Sequence, residues 1–311
     1  MLDFQPFSLD KKNLLDDYFF AYGEGSCQHS FVSSFCMSEK YGDKFALKDD
    51  FLFILREKRC TSNERIYLFP LGNMEKTESL RRAVDCLIED AHSHGAKVRF
   101  ETITERAKDF IAENYSESLS ITESRDVAEY IYDCEKFAAM QGGEYHDRRK
   151  HVRKFLDTYK DRWNLENVSP AYFSQMLSLS ETWLKTKVTD DNRTQLMCEH
   201  RAIEKSLKYW DELGMEGLVL FIDGELKGFI YGMKLDSQTY NAMILKSDKS
   251  CVYVSPFLYR SYAELCGKSA KWVNLEEDLG DPGLRQMKLS YRPDHLLNKY
   301  FVKEINADEQ A

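Results

Sequence analysis

The sequence predicts a mixed α/β (α+β) protein of two domains, each built on a mixed, mostly antiparallel sheet flanked by helices. The first observation is length, because 311 residues and 36.4 kDa correspond to about two domains. The second is composition, since 43% hydrophobic and 13% aromatic residues can fill two cores, while a mean hydropathy of −0.54 fits a globular chain. The third is that strand-type and helix-type periodicity alternate along both halves.

Composition also narrows the class of protein. No stretch approaches the roughly 18 apolar residues of a membrane helix, and the N-terminus lacks the pattern of a signal peptide, so we expect no integral membrane segment and a cytoplasmic location. The eight cysteines include no C-x-x-C pair, and the histidines are better explained as polar residues near helix ends, so we expect no metal site. A net charge of −9 makes bulk nucleic-acid binding less expected but permits a local basic patch.

In the first half, strands and helices alternate. Aromatic and branched residues over 45–56 and 66–71 predict two adjacent strands. From Leu80 the apolar residues recur at the spacing of one helical face, which predicts an amphipathic helix. The polar residues 123–126 predict a boundary, so the first domain spans 1–125. Before that boundary the sequence predicts a strand, a helix and a short strand, at 97–102, 105–114 and 119–122.

The second half, 126–311, repeats this alternation on a larger scale. Asp223-Gly224 between two apolar runs predicts a β-hairpin. The predicted strands are 217–222, 227–235, 240–245 and 271–275, and the predicted helices are 145–159, 170–186, 199–213, 257–266 and 284–292. A helix pair, a β-meander, a helix, a strand and a helix form the order of a GNAT-type acyltransferase domain, and the first half fits a shorter version of the same unit.

A basic run near the start of the second domain is the first candidate site. The segment from His146 to Arg162 holds seven Lys/Arg and three Asp. On a helix, the apolar stripe of its later turns extends back to Arg148 and Arg149, which should therefore point inward. A guanidinium near a helix N-terminus is disfavoured by the helix dipole and needs a carboxylate or phosphate partner. The other basic residues fit a solvated face.

The second candidate site combines an acidic segment, NLEEDLG from Asn274, with the terminal helix that follows it. Lys288 lies inside the apolar stripe of this helix, one turn from Arg285. A buried lysine beside another cation requires an anionic partner. Two alternatives stay open: a phosphate-bearing substrate, or an internal salt bridge to the acidic cluster of Glu276, Glu277 and Asp278.

Common nucleotide-binding, hydrolase and metalloprotease motifs are missing from the sequence. There is no G-x-x-x-x-G-K-[ST], G-x-G-x-x-G, G-x-S-x-G or H-E-x-x-H. GNAT acetyltransferases hold the pyrophosphate of acetyl-CoA with backbone amides of a [RQ]-x-x-G-x-[GA] loop after the fourth strand. Residues 246–256 occupy this place without glycines, and Pro256 has no amide hydrogen to donate. Acetyl-CoA is therefore an alternative that the loop does not favour.

Three segments together resemble a known family. Tyr130–Phe155, Gly217–Gly232 and Asn274–Pro293 are similar to the bacterial proteins related to the C-terminal catalytic domain of phosphatidylglycerol lysyltransferases. The most specific match is the pattern G-L-R-x-x-K-x-x-[YF]-x-P between Gly283 and Pro293. The resemblance implies a tandem pair of GNAT-like domains, the second of them lysyltransferase-like, that transfer an amino acid from aminoacyl-tRNA to a small, peptide or lipid acceptor.

From the residues and the resemblance we expect an acyltransferase site in the second domain. Catalysis is assigned to Lys288, Asp278, Glu276 and Tyr291, and substrate binding to Arg285, Arg148, Arg149 and Asn274. The two cations of the last helix would neutralise phosphates or an oxyanion, and one of the two carboxylates would accept the proton of the attacking group. Two alternatives remain: a CoA-dependent N-acetyltransferase acting on a small amine, and a non-catalytic relative that binds RNA or a nucleotide.

Overall fold

The computed structural model describes residues 2–190 and 192–305. Contacts divide the chain into two compact units. One runs up to Glu129 and includes the residues from Leu297 onward, and the other runs from Tyr130 to Leu296. The domains predicted from the sequence, 1–125 and 126–311, differ from these units mainly at the C-terminal end, and residues 306–311 lie outside the described part of the chain.

Strands and helices alternate along the described residues. The strands are β1 (Gln5–Pro6), β2 (Asp43–Lys48), β3 (Phe51–Arg56), β4 (Glu64–Tyr67), β5 (Lys97–Ile103), β6 (Leu119–Glu123), β7 (Glu129–Asp133), β8 (Trp163–Asn167), β9 (Glu216–Ile222), β10 (Glu225–Gly232), β11 (Thr239–Asn241), β12 (Ile244–Ser247), β13 (Trp272–Asn274), β14 (His295–Leu297) and β15 (Tyr300–Glu304). The α-helices are α1 (Lys12–Tyr22), α2 (Phe31–Cys36), α3 (Ser38–Tyr41), α4 (Thr77–Ser93), α5 (Glu105–Tyr115), α6 (Cys134–Ala139), α7 (His146–Thr158), α8 (Phe173–Lys187), α9 (Arg193–Lys208), α10 (Trp210–Leu213), α11 (Val254–Cys266) and α12 (Pro282–Leu289). None of these helices is long and apolar enough to cross a membrane.

The first unit is built on a seven-stranded sheet in the order β1-β2-β3-β4-β5-β15-β6. β4 runs parallel to β5, and the other neighbours are antiparallel. The single strand predicted over 45–56 is wrong, because β2 and β3 form a hairpin there. Asp49 and Asp50 turn the chain with φ values of 50° and 64°, a left-handed conformation that Asp tolerates.

Helix α4 confirms the periodicity read from the sequence. Its apolar stripe of Leu80, Ala83, Val84, Leu87 and Ala91 is buried in the core of the first unit. The same core includes Phe100 and Val98 of β5, which follows this helix in the chain. A 3.6-residue period therefore identified the buried face, because one face of the helix packs on the sheet while the other meets solvent.

The second unit contains two four-stranded sheets, ordered β12-β10-β9-β8 and β11-β13-β7-β14. The predicted hairpin is confirmed, since Asp223 and Gly224 connect β9 to β10 with positive φ values. The single strand predicted over 240–245 is wrong. β11 pairs in parallel with β13, whereas β12 pairs antiparallel with β10, so the chain passes from one sheet to the other at residues 242–243.

The last strand belongs to the first unit, although the sequence assigned residues 126–311 to the second domain. β15 lies between β5 and β6 and is antiparallel to both. The physical reason is that β5 and β6 do not pair with each other, so each has an edge with unpaired main-chain groups that β15 can bind. No local pattern in the last residues distinguishes this pairing from one with a nearer strand.

A buried ion pair joins β15 to the rest of the first unit. Lys299 Nζ lies 2.8 Å from Glu129 Oε1, and both side chains are fully buried. Ser26 Oγ accepts from Lys299 (2.5 Å) and donates to Glu129 (2.7 Å), and the Cys27 amide donates to the other carboxylate oxygen (2.8 Å). Burial by itself raises the pKa of Glu129, but the ammonium and these hydrogen bonds lower it below its ordinary value.

Replacing Lys299 by Met should lower the free energy of unfolding by about 3–5 kcal/mol, because the carboxylate of Glu129 would stay buried without its counter-charge. Urea denaturation of the whole chain measures this loss. Lys303→Met, at an exposed position of β15, is the control and should change stability by less than about 0.5 kcal/mol. The double variant Lys299→Met, Glu129→Leu should recover much of the loss, and equal stability of wild type and Lys299→Met would contradict the assignment.

Candidate active site

In the second unit, two parallel strands end side by side and their continuations separate. The last residues of β11 and β13, Asn241 and Asn274, lie opposite each other in register. After Asn241 the chain joins β10 as β12, whereas after Asn274 it follows β7, with the Leu275 amide donating to the Tyr130 carbonyl (3.0 Å). We call the opening between β12 and residues 275–278 the fork. Carboxyl ends of parallel strands that separate in this way are common ligand sites.

Glu276 lies at the start of the fork and is held from both strands. Its amide donates to Asn274 Oδ1 (2.7 Å), and its Oε1 accepts from Asn241 Nδ2 (2.7 Å). Its φ is 60°, in the left-handed region that costs a non-glycine residue about 1–2 kcal/mol. The contacts with the two asparagines stabilise this conformation. Asn274, which the sequence assigned to substrate binding, is thus bonded to the main chain of another site residue.

Asp278 is a fully buried carboxylate that binds helix α12. Arg285 donates to both of its oxygens, from Nε (2.8 Å) and Nη2 (2.7 Å), and the Tyr130 hydroxyl and the Gly280 amide (2.9 Å) donate as well. Burial by itself raises the pKa of Asp278, but these hydrogen bonds and the guanidinium charge lower it well below its usual range. A carboxylate with so low a pKa is a weak general base, which argues against the role of proton acceptor expected for Asp278.

Helix α12 begins two residues before the predicted start, and its cap explains why. The side chain of Asp281 accepts from the Leu284 amide (2.6 Å), and Pro282 occupies the first turn, where its missing amide hydrogen has no cost. Arg285 and Lys288 lie one turn apart within this helix. Both side chains then reach the acidic segment 275–278.

Lys288 is 4% exposed and binds the main chain of the fork. Its Nζ donates to the carbonyl oxygens of Leu275 (2.6 Å) and Glu277, and it lies 5.5 Å from the centre of the Tyr130 ring. From the sequence, the partner of Lys288 could be either a cluster of carboxylates or a phosphate. The structure adds main-chain carbonyls of the same acidic segment, which a buried ammonium can bind strongly. Lys288 thereby holds one side of the fork in place.

Arg148 points inward, in the direction that the stripe of α7 predicts. Its guanidinium lies 4.9 Å from the centre of the Tyr291 ring, and its Nε is buried without a hydrogen-bond partner among the described residues. Burial raises the pKa of Tyr291 to about 12, although the charge of Arg148 acts in the opposite direction. Tyr291 therefore stays protonated near neutral pH, and it can donate a hydrogen bond but not act as a base.

Arg149 binds main-chain groups of the turn before α7. Its Nη1 donates to the carbonyl oxygens of Met140 and Gly142 (2.6 Å for the second), both of which have positive φ. These bonds stabilise the turn that leads into α7. The helix dipole argument correctly required a partner for this guanidinium, but carbonyl groups supply it.

Two residues of the fork were not identified from the sequence. Tyr130 donates to Asp278, and Asn241 donates to Glu276. The available signal was the polar Asn241 within a run that otherwise reads as a buried strand, because a buried amide needs partners. For Tyr130 the alternating aromatic residues of β7 indicated only a strand.

Replacing Lys288 by Met should lower the free energy of unfolding by about 2–4 kcal/mol, because two buried carbonyl groups lose their donor. Urea denaturation measures the change. Lys268→Met, at an exposed position of the same unit, is the matched control and should leave stability within about 0.5 kcal/mol. Unchanged stability of Lys288→Met would contradict the structural role of the lysine.

The low pKa of Asp278 predicts a specific pH dependence. Its pKa in the folded state lies below the unfolded value of about 3.9, so its ionisation stabilises the fold above roughly pH 4, and this contribution is lost as the pH falls. The difference in free energy of unfolding between wild type and Asp278→Asn should be largest near neutral pH and shrink below about pH 4. Urea denaturation at several pH values tests this. A difference that stays constant down to about pH 3 would show that the ionised form has no special stabilisation.

Solved structures share this architecture. A conserved protein of unknown function from Bacteroides thetaiotaomicron is 26% identical, with a TM-score of 0.90 over 98% of this chain and 100% of that chain. The C-terminal domain of a putative lysylphosphatidylglycerol synthetase from Agrobacterium fabrum is 14% identical, with a TM-score of 0.69 over 97% and 93%. A tandem GNAT protein from the clavulanic acid biosynthesis pathway is 9% identical, with a TM-score of 0.50 over 98% of each chain. The predicted GNAT-like fold is thereby confirmed.

Sequence comparison gives the family. No curated protein sequence matches this chain significantly. The family model described as "Phosphatidylglycerol lysyltransferase, C-terminal" matches residues 19–303, which is most of the chain and includes the whole fork. The resemblance read from three sequence segments is confirmed over this larger range. The chain belongs to the phosphatidylglycerol lysyltransferase C-terminal family.

Proposed function

We propose that this protein is an aminoacyltransferase, which moves an aminoacyl group from aminoacyl-tRNA to an amine or hydroxyl of a small-molecule, peptide or lipid acceptor. The description of the family names a phosphatidylglycerol lysyltransferase, and the Agrobacterium fabrum relative is named a putative lysylphosphatidylglycerol synthetase. In this reaction the nucleophile attacks the ester carbonyl and loses a proton, and the ribose oxygen of the tRNA leaves and gains one. An ester is already activated, so positioning and charge stabilisation supply most of the catalysis.

The observation that carries the proposal is the fork with its fixed polar groups. Glu276 and Asn241 stand where the two strands separate, and Arg285 and Lys288 reach the same segment from α12. The side chain of Arg285 is 32% exposed, so its charge can act on an oxyanion or a phosphate while Asp278 orients it. Lys288 is more deeply buried and serves as a positioning residue.

The two carboxylates that were expected to accept a proton, those of Asp278 and Glu276, differ in their surroundings. Asp278 has its oxygens engaged by Arg285, Tyr130 and Gly280, and its low pKa makes it a weak base. Glu276 is only partly buried and lies at the opening of the fork. We therefore assign the proton of the attacking group to Glu276.

Helix α7 supplies the basic surface that a tRNA requires. The protein has a net charge of −9, but this helix concentrates cations at its first two turns. Arg148 combines an aromatic contact with a buried Nε that has no hydrogen-bond partner in the described chain. A guanidinium in this setting suits a phosphate, and we place the 3′ end of the tRNA along this side of the helix.

The N-terminus of α11 argues against acetyl-CoA as the donor. This helix follows β12, at the place where GNAT acetyltransferases bind pyrophosphate with backbone amides. Here the Val252 amide donates to the Tyr159 hydroxyl (3.0 Å), and the ring of Tyr253 stacks on His151 at 5.2 Å. Pro256 in the first turn has no amide hydrogen. Tyr159, just after α7, thus occupies one amide before this helix, and Pro256 offers none, which supports an aminoacyl-tRNA donor and, with it, a cytoplasmic site of action.

The test is transfer by the whole chain. The donor is total tRNA charged with labelled amino acids, and the acceptors are extracted bacterial lipids or a mixture of small primary amines. We expect label in a lipid-soluble or amine product, and no comparable transfer from labelled acetyl-CoA. Transfer from acetyl-CoA alone would favour the CoA-dependent enzyme, and tRNA binding without transfer would favour a non-catalytic relative.

Two variants of α7 test the placement of the tRNA in the same experiment. Arg148→Gln should weaken binding of charged tRNA about tenfold, or roughly 1.4 kcal/mol, because a cation on the inner face is lost. Arg153→Gln removes the same charge from the exposed face of the helix and should change binding less than twofold. Equal losses in the two variants would show that only general electrostatic attraction is involved.

A further inference from the structure

Asn241 carries a buried acceptor that the fold does not use. The residue is 1% exposed, and its Oδ1 has no hydrogen-bond partner among the described residues. The orientation of the amide is fixed, because Nδ2 donates to Glu276 Oε1 (2.7 Å) and an ionised carboxylate can only accept. The oxygen therefore cannot exchange places with the nitrogen to find a partner elsewhere.

The main chain of Asn241 cannot move to relieve this acceptor. Its carbonyl accepts from the Tyr262 hydroxyl (2.9 Å), and its amide donates to the Met233 carbonyl (2.8 Å). Gly232 packs so closely that a Cβ at that position would lie 1.8 Å from the Asn241 carbonyl oxygen. An unpaired buried acceptor is unfavourable, so a rigid site that keeps one is suited to a ligand that pairs it.

The neighbouring groups define the chemistry of that ligand. The amide side chain of Asn241 spans from β11 to Glu276 on the other side of the fork, so an acceptor oxygen and a carboxylate lie next to each other. A hydroxyl has one hydrogen to donate and no charge, whereas a primary ammonium has three hydrogens and a charge that matches the carboxylate. The pair of acceptors thus fits an ammonium group better than a hydroxyl.

We propose that Asn241 Oδ1 and the carboxylate of Glu276 bind a primary ammonium group of a substrate. The inference rests on the proposed function, in which two molecules can carry such a group. One is the aminoacyl donor, through its α-ammonium next to the ester carbonyl. The other is an amine acceptor in its protonated form, for which Glu276 would also be the destination of the proton.

Calorimetric titration of the whole chain with three small probes tests the site, at about pH 6.5, below the pKa of an α-amino group. L-Alaninamide has an ammonium next to a carbonyl, n-propylamine has an ammonium alone, and N-acetyl-L-alaninamide has no ammonium. We expect an ammonium probe to bind and the neutral probe not to bind. Tighter binding of L-alaninamide would identify the donor group, and tighter binding of n-propylamine the acceptor. Equal binding of all three, or none by any, overturns the proposal.

Variants connect the binding to these residues. Glu276→Gln keeps an oxygen for Asn241 Nδ2 and removes the charge, so it should fold and bind the ammonium probe at least tenfold more weakly. Glu225→Gln removes a charge from the exposed end of the β-hairpin and is the matched control, with binding as in wild type. Asn241→Leu should also lose at least tenfold, and if it does not fold, Glu276→Gln alone decides. Wild-type affinity in Glu276→Gln overturns the proposal.

The outcome is separable from that of the proposed function. Ammonium binding that depends on Glu276, in a protein without aminoacyl transfer, would leave this site standing and remove the proposed reaction. Aminoacyl transfer by the wild type, together with probe binding that is unaffected by Glu276→Gln, would support the reaction and overturn the site.

Discussion

The short parallel pairing of β11 with β13 is the constraint on which the candidate site depends. Three residues of each strand pair, and then one chain segment must join β10 while the other follows β7. Two strands that separate leave polar main-chain groups exposed inside the protein, and these groups need new partners. Asn274 and Lys288 supply three such partners, since Asn274 accepts from the Glu276 amide and Lys288 donates to the carbonyls of Leu275 and Glu277.

The charged residues of this region therefore have two roles, which are to hold the acidic segment in place and to present groups to a substrate. Lys288 binds carbonyl groups and Arg285 binds Asp278, which together hold the acidic segment against α12. Glu276 is kept in a left-handed conformation between two asparagines, and the strain is tolerated because hydrogen bonds from both sides hold it. A loop fixed in this way presents its remaining groups to a substrate without further rearrangement, which favours catalysis by positioning.

In the first unit, too, a buried cation is held by polar partners from distant segments. Its sheet is completed by β15, and Lys299, the residue before that strand, lies in the interior. The lysine is acceptable there because Glu129 and Ser26 surround its ammonium. Removing one partner of such a pair is costly, because it leaves the other charge buried without its counter-charge.

The sequence by itself determined much of the secondary structure, the family and most of the residues that gather at the fork. Periodic apolar positions identified α4 and the inward direction of Arg148. Lys288 was identified because a buried cation needs a partner. These inferences depend only on local spacing and on the cost of burying charge. Tertiary structure decided which partners those groups take. The carbonyls bound by Lys288, the change of sheet after Asn241 and the return of β15 to the first unit all depend on pairing between distant segments, which no local pattern encodes.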